Sequence, residues 1–185
     1  MESIFIIIGI NLVIFLAVNI RPELLNYLAL TPAEAWSHPW QIITSMFTHY
    51  GIFHIFANMF TLYFFGNAVM QLLGPRRFWL IYILGGITGG LFFITLSSLT
   101  GGRFDSAIGA SGAVFALGGA LAVLRPNMKV LVFPIPVPMP LWAAVLGGFV
   151  LLSFIGNVAW EAHLGGLLFG LIAGYLFRQR TRYRF

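Results

Sequence analysis

The sequence predicts an all-α, polytopic membrane helix bundle with six transmembrane helices and both termini in the cytoplasm. Hydrophobic residues make up 59% of the 185 residues and charged residues only 8%, whereas a soluble domain carries about 25% charged residues. The mean hydropathy of +0.93 and the repeated long apolar runs identify the lipid bilayer as the solvent of this chain. The sequence contains no cysteine, which excludes disulfides, thiol nucleophiles and thiolate metal sites.

Six apolar segments approach the length of about 20 residues that a helix needs to cross the hydrocarbon core. They lie at about residues 3–20, 52–73, 78–99, 111–124, 141–156 and 162–177. The connections are short except for residues 21–51, so we expect one membrane domain over residues 1–185 and no separate soluble domain. The first segment lacks a basic start and an Ala-x-Ala cleavage site, which favours a retained anchor over a cleaved signal peptide.

The basic residues predict the orientation, because lysine and arginine are enriched on the cytoplasmic side of membrane proteins. Most of them follow segments two, four and six, namely Arg76, Arg77, Arg125, Lys129, Arg178, Arg180, Arg182 and Arg184. Only Arg21 and Arg103 lie at the opposite ends, so loops 1, 3 and 5 are expected outside the cytoplasm. Because the basic residues sit at segment ends and form no patch in the sequence, we expect no nucleic-acid partner.

Two loops contain recognisable local patterns. In loop 1 the string TPAE, Thr31 to Glu34, predicts a short helix with Thr31 at its N-cap and Glu34 closing a capping box. The string PIPVPMP, Pro134 to Pro140, cannot form a regular helix, because proline lacks the amide donor. We expect it to form a stiff cytoplasmic connector into the fifth segment.

A few polar residues interrupt the apolar segments, and each is a candidate functional residue because polar groups are costly at membrane depth. His54 and Asn58 lie in segment two, Ser111 begins segment four, and His163 begins segment six. All three segments start on the predicted outer side, so these four side chains are expected at similar depth. Segment four spans only about 21 Å, which would place Ser111 about 9 Å below the surface of a core about 30 Å thick.

These residues predict a Ser–His dyad with an oxyanion site. Ser111 would be the nucleophile and His163 the general base that takes its proton. His54 and Asn58 are four residues apart and project from one helix face. Together with the Ser111 amide they would stabilise an oxyanion, and Gly109 and Ala110 would form a tight turn close to the substrate.

Two stripes of small residues predict how Ser111 and His163 meet. Gly112, Ala116 and Ala120 form one on segment four, and Gly166, Gly170 and Gly174 form the other on segment six. Such stripes let membrane helices approach closely. Each residue also has a structural interpretation: Ser111 as helix-packing residue, His54 and Asn58 as an interhelical hydrogen-bonding pair, and His163 as a packing histidine.

The remaining polar and aromatic candidates have supporting roles. We expect His49 to orient loop 1 and Phe115 to pack on His163, while Glu161 is interpreted as a solvated loop carboxylate and His38 as a solvated loop residue. The motif H-E-x-x-H is absent, and no two histidines are three or four residues apart on a helix. We therefore expect no metal site.

Four strings of this sequence resemble the rhomboid family of intramembrane serine proteases: HYGIFHIFANM, LLGPRRF, GASGAVFALGGA and AHLGGLLFGLIAG. The resemblance covers roughly Trp40 to Tyr175. It implies that Ser111 is the nucleophile, His163 its base, and His54 and Asn58 the oxyanion-supporting pair. It also implies cleavage of single-pass membrane proteins without cofactor or metal, often after a small residue. Substrate entry is implied near segment five, beside Leu151 and Phe154.

This sequence departs from the common family pattern at three positions. Gln41 stands where many members have arginine, Met70 stands where many have glutamate, and Phe115 stands where some have tyrosine. The first two residues remove both members of a charge pair, so no unpaired ion remains, but the rigidity of loop 1 is put in question. The proposed catalytic atoms are unaffected.

The function that follows is an intramembrane serine endopeptidase acting on single-pass transmembrane substrates, in contact with membrane lipid. We expect a multi-pass protein of a prokaryotic plasma membrane. One alternative is a catalytically inactive rhomboid-like protein that binds membrane clients, although both Ser111 and His163 are present. Another is a small-solute channel, which would need polar residues that continue to the cytoplasmic side. Below Asn58 and Ser111 the segments offer mainly Thr61 and apolar groups.

Overall fold

The computed structural model describes residues 2–132, 135–154 and 158–182. The helices are, in chain order, α1 (Glu2–Ile20), α2 (Leu25–Leu28), α3 (Gln41–Thr44), α4 (Ile52–Leu73), α5 (Pro75–Leu99), α6 (Ser111–Leu124), α7 (Leu141–Ser153) and α8 (Trp160–Arg182). By length and composition α1, α4, α5 and α8 can cross a membrane. The apolar helices α6 and α7 are shorter, with 14 and 13 residues. The predicted helical membrane bundle is confirmed, whereas six crossings and cytoplasmic termini stay predictions.

The helix ends lie close to the predicted ones because glycine and proline mark them. Helix α4 is flanked by Gly51 and Gly74, which have positive φ angles of 88° and 81°, a conformation that favours glycine. Pro75 begins α5 at a position where its missing N–H costs nothing. The predicted end of the fifth segment, Gly156, lies outside the described residues.

The centre of the bundle is the contact between α6, α8 and α5. Helices α6 and α8 run parallel with their small residues in register: Gly166 lies against Gly112, Gly170 against Ala116, and Gly174 against Ala120. Helix α5 runs antiparallel to both and contributes Gly85 and Gly89, which face Ala116 and Ala162. The backbones therefore touch, as the two predicted stripes require.

Loop 1 does not contain the helix predicted from TPAE. Residues 32–37 form successive turns. The predicted capping box is wrong, because the side chains of Thr31 and Glu34 make other contacts. The Thr31 hydroxyl lies 2.9 Å from the Ser106 hydroxyl in loop 3, and the Thr31 N–H donates to Gln41 Oε1 at 3.3 Å. The Glu34 carboxylate contacts His38 instead, at 3.5 Å. Contacts with loop 3 and α3 therefore override the local helix pattern.

Residues 135–140 of the proline-rich connector form one strand of a small hairpin, and Pro134 lies outside the described residues. Strand β1 (Lys129–Val132) pairs antiparallel with β2 (Ile135–Pro140), with Lys129 opposite Pro140. A strand tolerates prolines at alternate positions when their missing amides face away from the partner. The expectation of a non-helical connector holds, and the hairpin leads directly into α7.

Replacing Gly170 with alanine is expected to destabilise the bundle, because the new Cβ would collide with the Ala116 carbonyl. Overpacking of this kind costs about 1–3 kcal/mol. Thermal unfolding in detergent measures the loss. The matched control is Gly148→Ala on α7, where a Cβ would meet nothing within 4 Å, so its Tm should stay equal or rise. Equal Tm values for Gly170→Ala and Gly148→Ala would contradict the packing described here.

Candidate functional site

Ser111 and His163 meet at the start of two parallel helices. Ser111 is the first residue of α6, after Ala110 at the N-cap, and His163 lies in the first turn of α8. The Ser111 Oγ and the His163 Nε2 are 2.7 Å apart, which is a hydrogen bond. His163 is buried, with 4% of its surface exposed. The structure therefore brings the two predicted catalytic side chains together.

His54 and Asn58 lie on the first two turns of α4, and His54 faces the turn that precedes Ser111. His54 is close enough to Gly109 that a Cβ there would come within 2.7 Å of its Nε2 atom. Asn58 is buried, and its side-chain amide donates to the His54 carbonyl at 3.0 Å. Because an asparagine amide has two N–H groups, one donor remains available after this bond.

The turn before Ser111 is held by loop 1. Gly109 has a φ of 120° and donates its N–H to the Ser45 carbonyl at 2.9 Å. Only glycine suits this position, because its φ is positive and His54 fills the adjacent space. The Ala110 N–H donates to His49 Nε2 at 3.2 Å. As the first residue of α6, Ser111 has an N–H with no acceptor within its own helix.

His49 is a structural acceptor in a buried position between loop 1 and this turn. No part of it is exposed, and its ring centre lies 4.9 Å from that of His54. Burial, and after it the nearby His54, lower the pKa of His49 to about 3, against the smaller opposing effect of the Phe47 backbone. His49 is therefore neutral at physiological pH and accepts the Ala110 N–H.

Aromatic rings cover the other side of His163. The Phe115 ring lies 4.7 Å from the imidazole at an angle of 33°, as expected from the sequence. On its far side Phe115 contacts Phe149 of α7 edge-on, at 6.1 Å. Sequence analysis missed Phe149, because α7 is apolar on every face and no pattern distinguishes this phenylalanine from the others.

Glu161 differs from its predicted surroundings. It lies in the first turn of α8 and is only 7% exposed, so the interpretation as a solvated loop carboxylate is wrong. The start of α8 packs closely on α5, where Gly89 lies against Ala162, the residue next to Glu161. Glu161 does not complete a triad, because within the described residues the buried His163 Nδ1 has no hydrogen-bond partner.

Two of the three departures from the family pattern, Gln41 and Met70, are uncharged side chains that the fold accommodates. Gln41 is buried and uses its side-chain oxygen to accept the Thr31 N–H of loop 1. Met70 packs at the edge of the main hydrophobic core. A neutral hydrogen bond and an apolar contact thus stand at these two positions, which lie near opposite ends of α4 and do not face each other as a charge pair would. Gln41 restrains loop 1.

Metal ligation finds no support in the described part of the chain, where no three histidine or carboxylate side chains come together. His38 pairs with Glu34 in loop 1, on an exposed surface.

The arrangement around Ser111 combines a hydroxyl, an imidazole in contact with it, and neighbouring N–H donors. Chemically, such a set can transfer an acyl group through the serine oxygen.

Comparison with known proteins gives one family. The Rhomboid domain model matches residues 37–180. Rhomboid protein 1, mitochondrial, of Saccharomyces cerevisiae is 32% identical over 72% of this chain and 40% of its own length. RHOMBOID-like protein 1 of Arabidopsis thaliana is 34% identical over 78% of this chain and 36% of its own length.

A human protein, Presenilin-associated rhomboid-like protein, mitochondrial, is 26% identical over 89% of this chain and 45% of its own length. The chain thus spans less than half the length of these curated relatives. The family match nevertheless covers most of this chain, including α4, α5, α6, α7 and most of α8. Together with its membrane helix bundle, this match establishes that the chain is a member of the rhomboid family.

Proposed function

We propose that this protein is an intramembrane serine endopeptidase that cleaves transmembrane protein substrates with a Ser111–His163 dyad. The observation that carries the proposal is the 2.7 Å contact between Ser111 Oγ and His163 Nε2. Membership of a family whose members are generally intramembrane serine proteases supports it. The activity, substrates and partners of this chain are part of the proposal.

In the proposed reaction His163 acts first as base and then as acid. Its unpartnered Nδ1 would carry the ring proton, which leaves Nε2 free to accept the Ser111 proton. The oxygen then attacks the scissile carbonyl and forms a tetrahedral intermediate. His163 passes the proton to the leaving amine, and water hydrolyses the acyl-enzyme in a second cycle of the same steps.

The oxyanion would be stabilised by three donors on the opposite side of Ser111. These are the Ser111 N–H at the positive end of α6, the His54 ring and the second N–H of Asn58. Gly109 and Ala110 are proposed to place the backbone close to the substrate, and His49 supports them by accepting the Ala110 N–H. Phe115 keeps the His163 ring in orientation by packing on its face.

Substrate is proposed to approach past α7. Only Leu141 and Val145 are buried on this helix, both in its first two turns, while Leu151 and Phe154 at its far end are 66% and 85% exposed. Phe149 contacts Phe115, so displacement of α7 would uncover the side of His163. Single-pass substrates whose helix unwinds at a small residue would fit this route. The proposed chemistry requires neither cofactor nor metal.

The chain is a multi-pass integral membrane protein, and its compartment is a separate question. Sequence analysis predicts the plasma membrane of a prokaryote. The yeast and human relatives carry the word mitochondrial in their names, which applies to those proteins. The prokaryotic plasma membrane therefore stays a proposal, which fractionation of the native cell tests.

Labelling with a fluorophosphonate probe tests the dyad. Wild type should be labelled, whereas Ser111→Ala should lose labelling because the nucleophilic oxygen is gone, and His163→Ala because the base is gone. In-gel fluorescence of the purified protein gives the readout. Ser37→Ala in loop 1 is the matched control and should keep full labelling. Labelling that persists in Ser111→Ala would refute the dyad, and an unlabelled, folded wild type would favour the inactive client-binding alternative.

Turnover of a model transmembrane substrate tests the oxyanion role of Asn58. Asn58→Ala should lower kcat by about 10²–10³, the usual effect of removing one donor from a preorganised oxyanion site. Asn67→Ala is the matched control, because Asn67 lies on the same helix and makes the same type of bond, to the Tyr63 carbonyl. If Asn58→Ala cleaves as fast as Asn67→Ala, Asn58 has no part in catalysis.

Acidification is expected to destabilise the fold through His49. Because burial lowers its pKa from 6.5 to about 3, the unfolded chain binds this proton more strongly than the folded protein. The contribution is fully present above pH 6.5 and is lost as the pH falls toward 3. Tm measured against pH should therefore fall less steeply for His49→Gln, which keeps an acceptor but does not titrate. Parallel profiles of Tm against pH for wild type and His49→Gln would contradict this role of His49.

A further inference from the structure

A cleft of about 560 Å³ lies at the end of the bundle opposite the Ser111 site. It opens between the end of α6, the turn that follows it and the last turns of α8. Its lining residues are Leu124, Arg125, Pro126, Asn127, Met128 and Arg178. The cleft therefore combines two arginines and one amide with apolar side chains.

Among the described residues, no carboxylate pairs with the arginines of the cleft. Within the described ranges the one ion pair between side chains is His38 with Glu34, in loop 1. Arg178 is exposed and uses a single N–H, on Nη1, to donate to the Val123 carbonyl at 3.4 Å. Four of its five donors are then left for a ligand. Arg125 is likewise exposed.

A third arginine lies next to the cleft. The Arg77 guanidinium, at the start of α5, sits 5.0 Å from the ring centre of Phe177, the residue before Arg178. Arg77 thus lies at the same end of the bundle without lining the cleft, and the two arginines that line it, Arg125 and Arg178, come from distant parts of the sequence. Convergent guanidinium groups suit phosphate, which they bind through paired hydrogen bonds.

The end of a helix normally repels anions because of its free carbonyls, and two of the last four carbonyls of α6, those of Leu121 and Val123, accept hydrogen bonds at the cleft. Arg125 N–H donates to the Leu121 carbonyl, Met128 N–H to the Arg125 carbonyl, and Leu141 N–H to the Met128 carbonyl. The Val123 carbonyl accepts from Arg178. These bonds reduce the negative potential that the end of α6 would otherwise present to an anion.

We propose that this cleft binds the phosphate of an anionic membrane phospholipid. The arginines would hold the headgroup phosphate, and Leu124, Pro126 and Met128 would contact the glycerol and the first acyl carbons. This end of the bundle is the predicted cytoplasmic side, where anionic lipids attract basic residues. A free phosphate would use the arginines but leave the apolar lining without a role.

Lipid titration of the purified protein in detergent tests the site. Native mass spectrometry measures the affinity for short-chain phosphatidylglycerol, phosphatidylcholine and inorganic phosphate. Phosphatidylglycerol should bind more tightly than phosphatidylcholine, and Arg125→Gln and Arg178→Gln should each weaken it about fivefold, the effect of about one basic residue near an anionic surface. Arg178→Lys, which keeps the charge but loses the planar fork, should fall between Arg178→Gln and wild type.

Arg103→Gln is the matched control, since Arg103 lies in loop 3 at the other end of the bundle and should not affect lipid affinity. Gel filtration and Tm establish that each variant is folded, and Arg125→Gln alone tests the site if the Arg178 variants are not. Equal affinity for the two lipids, or unchanged binding in Arg125→Gln, would overturn the proposal. Saturation by inorganic phosphate without any binding of phosphatidylglycerol would overturn the assignment to lipid.

Discussion

The contact between the backbones of α6 and α8 is the constraint on which the rest of the structure depends. Helices with ordinary side chains at their interface pack with axes about 8–10 Å apart, and a serine and a histidine across such an interface need not meet. Here Gly166, Gly170 and Gly174 remove the intervening side chains on α8. The three pairs of small residues also fix the register. Ser111 and His163, in the first turns of parallel helices, are thereby brought into hydrogen-bonding distance.

The outer wall of the site depends on loop 1 instead. Ser45 and His49 accept the N–H groups of Gly109 and Ala110, so that the turn before Ser111 is held by residues far from it in sequence. Gln41, the first residue of α3, accepts the Thr31 N–H and so holds the start of the same loop against α3. Each bond satisfies a backbone group that would otherwise be left without a partner in a buried position. Irregular backbone persists there because it is paired.

Much of this arrangement could be predicted from the sequence, because its signals are local. The ends of α4 and α6, the stripes of small residues and the polar residues of the apolar segments follow from periodicity and composition. The helix predicted from TPAE does not form, because Thr31 bonds to Ser106 and Gln41. Glu161, predicted to be solvated, is buried in the first turn of α8. Arg125 and Arg178, far apart in sequence, meet only in the folded bundle.

The two sides of the site differ in how tightly they are packed. On the α5 and α8 side, an added methyl group at Gly85, Gly89 or Gly170 would collide with a neighbouring helix, whereas at Gly147 and Gly148 of α7 it would meet nothing. In the proposed reaction a polypeptide substrate would reach Ser111 from the lipid, so one wall would have to yield while Ser111 and His163 stay in register. Helix α7 is buried only near the β-hairpin. In the proposed substrate route this far end would be the part that moves, while the α6–α8 contact keeps Ser111 and His163 in position.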